Sequence, residues 1–414
     1  MDRSHVLIVV VFLATYAGMA FGRVPGLKID RTGIALMAVA ALLAFGATDV
    51  AAIGRAVDAP TLLLLFALML LSAQFAGAGF YDVCAAAVTG TRASPTVLLG
   101  LTVAVAGALS AVLANDIVVY AMTPLLCAGL KARGLDPRPF LVGLAGGSNA
   151  GSAATIIGNP QNILIGQLGG LDFWEFIAAC GVPALMAMAV VFAVTRFVWR
   201  ESFATAGGVE PAAAPLPEFD RWQTAKGLAA ALAIVALFLT PVPREIGALA
   251  IAALLLASRT MASRAMIGAV DWHLLLLFAC LFTVTAAFAG TGLAADGLAW
   301  LGARALLPDN IAVLAPLALV LSNGIGNVPA VILLMAVWTD ASPGALYGLA
   351  LLSTLAGNFL IVGSLANLIV AERAAVAGVA LTFRDFARAG VPMTLLSMSF
   401  AALWLGIGGW MPWR

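Results

Sequence analysis

Long apolar runs follow one another along this chain, separated by short polar gaps. A run of about 20 apolar residues crosses the hydrocarbon of a bilayer, whereas one of about 10 to 14 is more often re-entrant. On that measure spans are predicted at 5–22, 32–48, 60–80, 139–168, 174–199, 224–241, 245–258, 272–291, 344–370 and 391–411. Two other stretches, 95–130 and 310–338, each read as a pair of apolar helices parted by polar residues, and both are predicted as re-entrant hairpins. No small-residue cleavage site precedes the Arg23-Val24-Pro25 turn, so the first run is expected to stay in place as a span. The segment Glu210-Pro211-Ala212-Ala213-Ala214-Pro215-Leu216-Pro217-Glu218 cannot be helical across its prolines and reads as part of a linker over 200–223. The pattern predicts an all-α polytopic membrane protein whose two parts are 1–199 and 224–414.

Composition agrees and narrows the functions. Of 414 residues, 63% are hydrophobic and only 10% charged, against about 25% charged in a soluble domain. The mean hydropathy of +1.07 makes lipid the natural solvent. The 18 Arg and 3 Lys form no basic patch, so nucleic acid is not expected as a partner. Instead they mark topology. Clusters around Arg23-Lys28-Arg31, Lys131-Arg133-Arg138, Arg196 to Lys226, Arg259-Arg264 and Arg373-Arg384-Arg388, with Arg92, place 16 of the 21 basic residues on one side. The positive-inside rule makes that side cytoplasmic and puts both termini outside. Cys84, Cys127, Cys180 and Cys280 have no ligand-like spacing and read as small buried residues, with no structural metal and no cofactor expected. His5 and His273 lie near predicted interfaces and no HExxH occurs, which argues against an intramembrane enzyme. No repeated carbonyl filter sequence suggests a channel.

The two parts are related. Leu62 to Ala67 followed by Phe75-Ala76-Gly77-Ala78-Gly79 matches Leu274 to Ala279 followed by Phe288-Ala289-Gly290-Thr291-Gly292. Leu113-Ala114-Asn115-Asp116 then aligns with Leu321-Ser322-Asn323-Gly324, and Gly158-Asn159-Pro160-Gln161-Asn162-Ile163 with Gly363-Ser364-Leu365-Ala366-Asn367-Leu368. An odd number of spans separates the matched helices, so the repeat is inverted. Each part is predicted to hold five spans, one of them broken at the midplane, and one hairpin, which is the plan of secondary transporters.

Non-helical backbone at membrane depth survives only when buried in protein or lining a wet cavity. Gly146 to Ser152 and Gly158 to Asn162 are predicted to break the first crossing helix, and Gly357-Asn358 with Gly363 to Asn367 the second. Such breaks offer free amides to an anion or a polar neutral solute, and carbonyl, Asn and Ser oxygens to Na⁺. The plainer reading, interhelical hydrogen bonds and close packing, stands beside it. Asp116 is the sharpest single residue, because a carboxylate at depth costs about 2.5–3.5 kcal/mol on insertion scales. It reads as a ligand for the coupling cation, Na⁺ or H⁺, or more plainly as an N-cap for the second hairpin arm.

These motifs resemble the ion transporter superfamily, which includes citrate-transporter-like proteins, divalent anion/sodium symporters and arsenite/antimonite efflux permeases. The resemblance rests on Ala114-Asn115-Asp116, Gly158 to Asn162, Leu321-Ser322-Asn323 with Asn327-Val328-Pro329-Ala330, and Gly363 to Glu372. It implies a dimeric scaffold in a bacterial inner membrane, against which a mobile part made of hairpins and broken helices moves. By position it implies one half-site of Asn115, Asp116, Ser148, Asn149, Thr155, Gly158 and Asn162, and another of Ser322, Asn323, Asn327, Asn358, Gly363, Ser364 and Asn367. The coupling ion is expected at Asn115, Asp116, Gly158, Asn162, Asn323, Gly363 and Asn367. Dicarboxylate-type members carry Ser-Asn-Thr at both tips, where this chain has Ala114-Asn115-Asp116 and Ser322-Asn323-Gly324. That departure is similar to the arsenite-permease and anion-permease branches, and makes a small anion or a neutral oxyacid the expected substrate. Sodium/proton exchange is a further alternative.

Overall fold

A computed structural model describes residues 3–21, 28–204, 218–338 and 340–413. The described residues are helical throughout, without strands. The chain is an all-α polytopic membrane protein, an inverted repeat of five spans and one re-entrant hairpin per half. The Arg23-Val24-Pro25 turn and the proline-rich part of the predicted linker lie outside the described residues. At its edges that linker is already ordered, with Arg200–Ala204 helical and Asp220 capping Arg221–Leu237 through bonds from the Trp222 and Gln223 amides.

Local chemistry sets the repeat. Asp58 caps Ala59–Gly77 and Asp271 caps Trp272–Ala289, each accepting from the amide three residues on. Both helices then end before a glycine in the left-handed region, Gly79 at φ +72° and Gly292 at φ +81°, where a side chain would be strained. These glycines open two short helices absent from the hydropathy reading, Phe80–Gly90 and Leu293–Gly302. The halves interlock, since Arg31–Ala44 packs on Trp272–Ala289 while Arg244–Leu256 packs on Ala59–Gly77.

The first hairpin consists of Pro95–Ser110 and Asn115–Ala132, the second of Ile311–Gly324 and Asn327–Val337. At the base of the first, the Arg133 guanidinium donates to the carbonyls of Thr89, Thr91 and Ala93, which ties both ends of the hairpin to one face. Both crossing helices are broken. Arg138–Ser152 and Pro160–Leu168 flank the first break, while Pro343–Ala356 and Leu365–Val376 flank the second, which holds a single 3-10 turn at Ile361–Gly363.

Two expectations are corrected. Gly146 to Ser152 do not interrupt the helix, because they lie within Arg138–Ser152 and the break falls at 153–159. The glycines act in packing instead: Gly143, Gly147 and Gly151 recur every fourth residue and meet Leu99, Val103 and Gly107 of the first hairpin arm. A Cβ at Gly151 would overlap the Gly107 backbone. Gly151→Ala is therefore expected to cost about 1–3 kcal/mol, read as a lowered unfolding midpoint in detergent; an unchanged midpoint would show that the seam can part. The last span, predicted from 391, is Phe383–Ile407 and starts at a Thr382–Asp385 capping box, with Pro392 accommodated inside the helix.

The repeat register also shifts at the hairpins. Asn115 and Asn327 each open a second arm, so Asn327 and not Asn323 is the counterpart of Asn115, and Val328 stands opposite Asp116.

Candidate functional site

The two breaks meet in a buried network of neutral amides and hydroxyls. Asn149 is its hub. Its Nδ2 donates to Oδ1 of Asn358 at 2.8 Å and of Asn367 at 3.0 Å. Its Oδ1 accepts from Ser364 Oγ at 3.1 Å and Asn115 Nδ2 at 3.4 Å. Asn358 Nδ2 donates in turn to the Gly146 carbonyl at 3.1 Å. Three residues at the second break and one at the first hairpin tip are thus joined through a single side chain of the first broken helix.

The inverted repeat is visible in the bonds themselves. Asn162 Nδ2 clamps the carbonyls of Ser152 and Thr155 at 3.2 and 3.0 Å. Asn367 Nδ2 does the same to Gly357 and Leu360 at 2.7 and 3.2 Å. Asn149 donates to Asn367, and Thr354 Oγ1 donates to Asn162 Oδ1 at 3.3 Å. Thr354 also accepts from Asn159 Nδ2 and Gln161 Nε2. Thr354, Asn159 and Gln161 were missed as members of this network by the sequence reading. The repeat carries the signal for Thr354, which is the counterpart of Asn149.

The remaining predicted residues brace the breaks or line cavities. Ser148 Oγ lies 2.7 Å from Ser110 Oγ, and Thr155 Oγ1 donates to the Ala111 carbonyl at 2.5 Å. The Gly158 carbonyl accepts from the Asn115 amide at 3.3 Å. In the second half Ser322 Oγ donates to the Ser353 carbonyl, and Asn323 Nδ2 to Ala356, while Asn323 Oδ1 accepts from the Leu360 amide. A Cβ at Gly363 would overlap Asn323 Oδ1. Ser322 and Asn323 therefore hold their own break and do not join the Asn149 hub. Asn327 Oδ1 accepts from the Val328 amide and lines a cavity.

Three of the four helix N-termini here have no side-chain cap: Asn115–Ala132, Asn327–Val337 and Leu365–Val376. The fourth, Pro160–Leu168, is capped by Asn159. Asn115 Oδ1, wholly buried, has no hydrogen-bond partner. The amides of Asn115, Ile117 and Val328 are already used, so among the described residues the free donors at these ends are the amides of Asp116, Asn327 and Leu365 to Asn367, beside the one free acceptor.

Asp116 is not an N-cap, for that position is Ala114 and no side chain caps the helix. Half-buried, Asp116 lines a cavity of about 420 Å³ together with Asp271, Tyr120, Asn159 and Pro160. A neighbouring cavity of about 600 Å³ is lined by Arg31, Asp271, Asn327, Leu365 and Glu372. Both reach the breaks from the face that carries the basic clusters. On the opposite face a cavity of about 500 Å³, lined by Asp58, Leu168, Phe282 and Ile332, takes in no break residue. Repeat-related side chains differ accordingly, Tyr120 being 50% exposed and Ile332 1%. Among the described residues, the two cavities that reach the breaks do so from that one face.

Two hairpin tips set against two broken helices, with cavities reaching them from one face, are the architecture of a membrane transporter. The chain belongs to the citrate transporter family, which matches residues 10–347. A 46 kDa membrane protein of Mycobacterium leprae is 28% identical over 97% of this chain and 98% of its own. A silicon efflux transporter of Oryza sativa subsp. japonica is 26% identical, covering 91% and 92%. Among solved structures, the YdaH transporter of Alcanivorax borkumensis matches the fold with a TM-score of 0.59 at 16% identity, over 99% of this chain and 100% of that one.

Proposed function

We propose that the chain is an ion-coupled secondary active transporter that moves a small oxygen-rich solute, an anion or its undissociated acid, by alternating access. The observation that carries this reading is the set of uncapped helix N-termini around the Asn149 hub, at the end of cavities open to one face. Free amides bind solute oxygens without a charged side chain. Asp116, with Asn115 and the clamped carbonyls of both breaks, supplies the coupling position for Na⁺ or H⁺. The basic face is cytoplasmic on the positive-inside rule, which puts the termini outside and makes this state inward-open, in a bacterial inner membrane and as a homodimer.

A second reading, efflux of an arsenite-like neutral hydroxide, is favoured by the carboxylates Asp116, Asp271 and Glu372 lining the two cavities. These repel an anion more than a neutral acid. The silicon efflux relative leans the same way. Proteoliposome flux of phosphate, a dicarboxylate, arsenite and silicic acid, each under an imposed Na⁺ or proton gradient, tests both. Saturable, gradient-dependent movement of one solute is expected. Absence of flux for every solute under both gradients, from monodisperse protein, would reject the proposal.

A further inference from the structure

The repeat predicts what the other state looks like. Arg31 and Arg244 are counterparts, each opening the second helix of its half, Arg31–Ala44 and Arg244–Leu256. In this structure they do different things. Arg244 holds the end of the first broken helix: its Nη2 donates to the Leu171 carbonyl at 2.5 Å and its Nη1 to Gly166 at 3.5 Å. Beside it Gln167 Nε2 donates to Glu245 at 2.9 Å. These contacts lie on the face opposite the basic clusters.

The second broken helix ends in the same turn. Leu171 N bonds the Gly166 carbonyl around Gly170, at φ +58°, as Val379 N bonds the Ala374 carbonyl around Gly378, at φ +71°. The mirror-image target of Arg31 is thus the pair of carbonyls at Val379 and Ala374. Arg31 makes no bond to either. Among the described residues its only hydrogen bond runs from Nε to the Met19 carbonyl at 3.2 Å, and the guanidinium faces the 600 Å³ cavity beside Gly326 at the second hairpin tip. Among the described residues it has no ion pair.

We infer that Arg31 and Arg244 are alternating latches, Arg244 closing the outer face in this state and Arg31 closing the inner face on the Val379 turn in the other. This rests on the alternating-access reading and on no choice of solute. In an inverted repeat the second state is reached when the halves exchange conformations. A guanidinium on a helix C-terminus suits the task, because its fork bonds two carbonyls and its charge favours the negative end of the helix. Each latch then stabilises one state only, which is the condition for shifting a population.

The test uses the full-length chain in oriented vesicles, with its four cysteines replaced and one reporter at Tyr120→Cys or at its counterpart Ile332→Cys. Labelling is with a membrane-impermeant thiol reagent from each side. Arg244→Ala should raise Ile332→Cys labelling and lower that of Tyr120→Cys, by roughly tenfold in their ratio, the factor of one charge-assisted hydrogen bond. Arg31→Ala should move the ratio the opposite way. Arg31→Lys and Arg244→Lys keep the charge, lose the fork, and should show the same shifts at smaller size, so they serve if an alanine variant fails to fold. An Arg31 variant that leaves the ratio unchanged, or shifts it in the direction of Arg244→Ala, overturns the inference. Because the readout needs no solute, a failure here is distinct from a failure of the flux assay.

Discussion

Asn149→Ala is expected to abolish solute flux at every gradient while leaving a folded, weakened protein. The substitution removes two donated and two accepted hydrogen bonds and leaves Asn115 Nδ2, Asn358 Oδ1, Ser364 Oγ and Asn367 Oδ1 without those partners. Interhelical hydrogen bonds in membrane proteins average about 0.6 kcal/mol each, and each stranded polar group adds about 1–3 kcal/mol where no water reaches it. Water in the adjacent cavities relieves part of that, so a net loss of about 2–4 kcal/mol follows. Thermal unfolding in detergent measures the stability and proteoliposome flux the activity. Flux within a factor of about two of the parent chain would mean that the hub is packing and not site. Thr354→Ala, at the related position, is expected to do less, since Thr354 donates once to the first clamp, Asn162, and bridges no hairpin tip.

Asp116→Asn should separate coupling from binding. Among the described residues the side chain makes no hydrogen bond, and it caps nothing, so its replacement by an isosteric amide should leave the fold intact. Gradient-driven accumulation is expected to fall by roughly tenfold or more, within the range of coupling free energies between ligands. Solute counterflow, which needs no net ion movement, should persist. If accumulation under the Na⁺ and proton gradients matches the parent, Asp116 has no part in coupling and the clamped carbonyls and Asn115 must do that work alone.

Much of this was legible in the residues because a bilayer allows few solutions. Length and apolarity announce a span, and inverted halves announce themselves through spaced Phe-Ala-Gly-X-Gly signatures. What escaped has physical causes. Phe80–Gly90 and Leu293–Gly302 are too short to register as spans, and the glycines that start them look like ordinary turn residues until their positive φ is seen. The last apolar run reads from 391, but the capping box at Thr382 starts the helix two turns earlier. Gly146 to Ser152 carry composition that serves a break and a close crossing equally well, and only the neighbour decides. Most of the residues named from the sequence gather around the two breaks, but how they divide among separate hydrogen-bond sets was not legible. Nothing in Asn323 distinguishes a side chain bracing its own break from one, such as Asn149, that joins both halves.

The seam between Pro95–Ser110 and Arg138–Ser152 sets backbone against backbone at Gly107 and Gly151, with no side chain between. An ordinary helix contact yields by rotamer hops on picosecond to nanosecond timescales; here there is no rotamer to hop. Amide hydrogens along the seam should therefore exchange with deuterium only through opening of the whole pair, among the slowest in the molecule. On the proposed alternating-access reading, the first hairpin and the first half of the broken helix move as one stiff body. Turnover is then expected to respond to lipid order and viscosity more than to local loop flexibility.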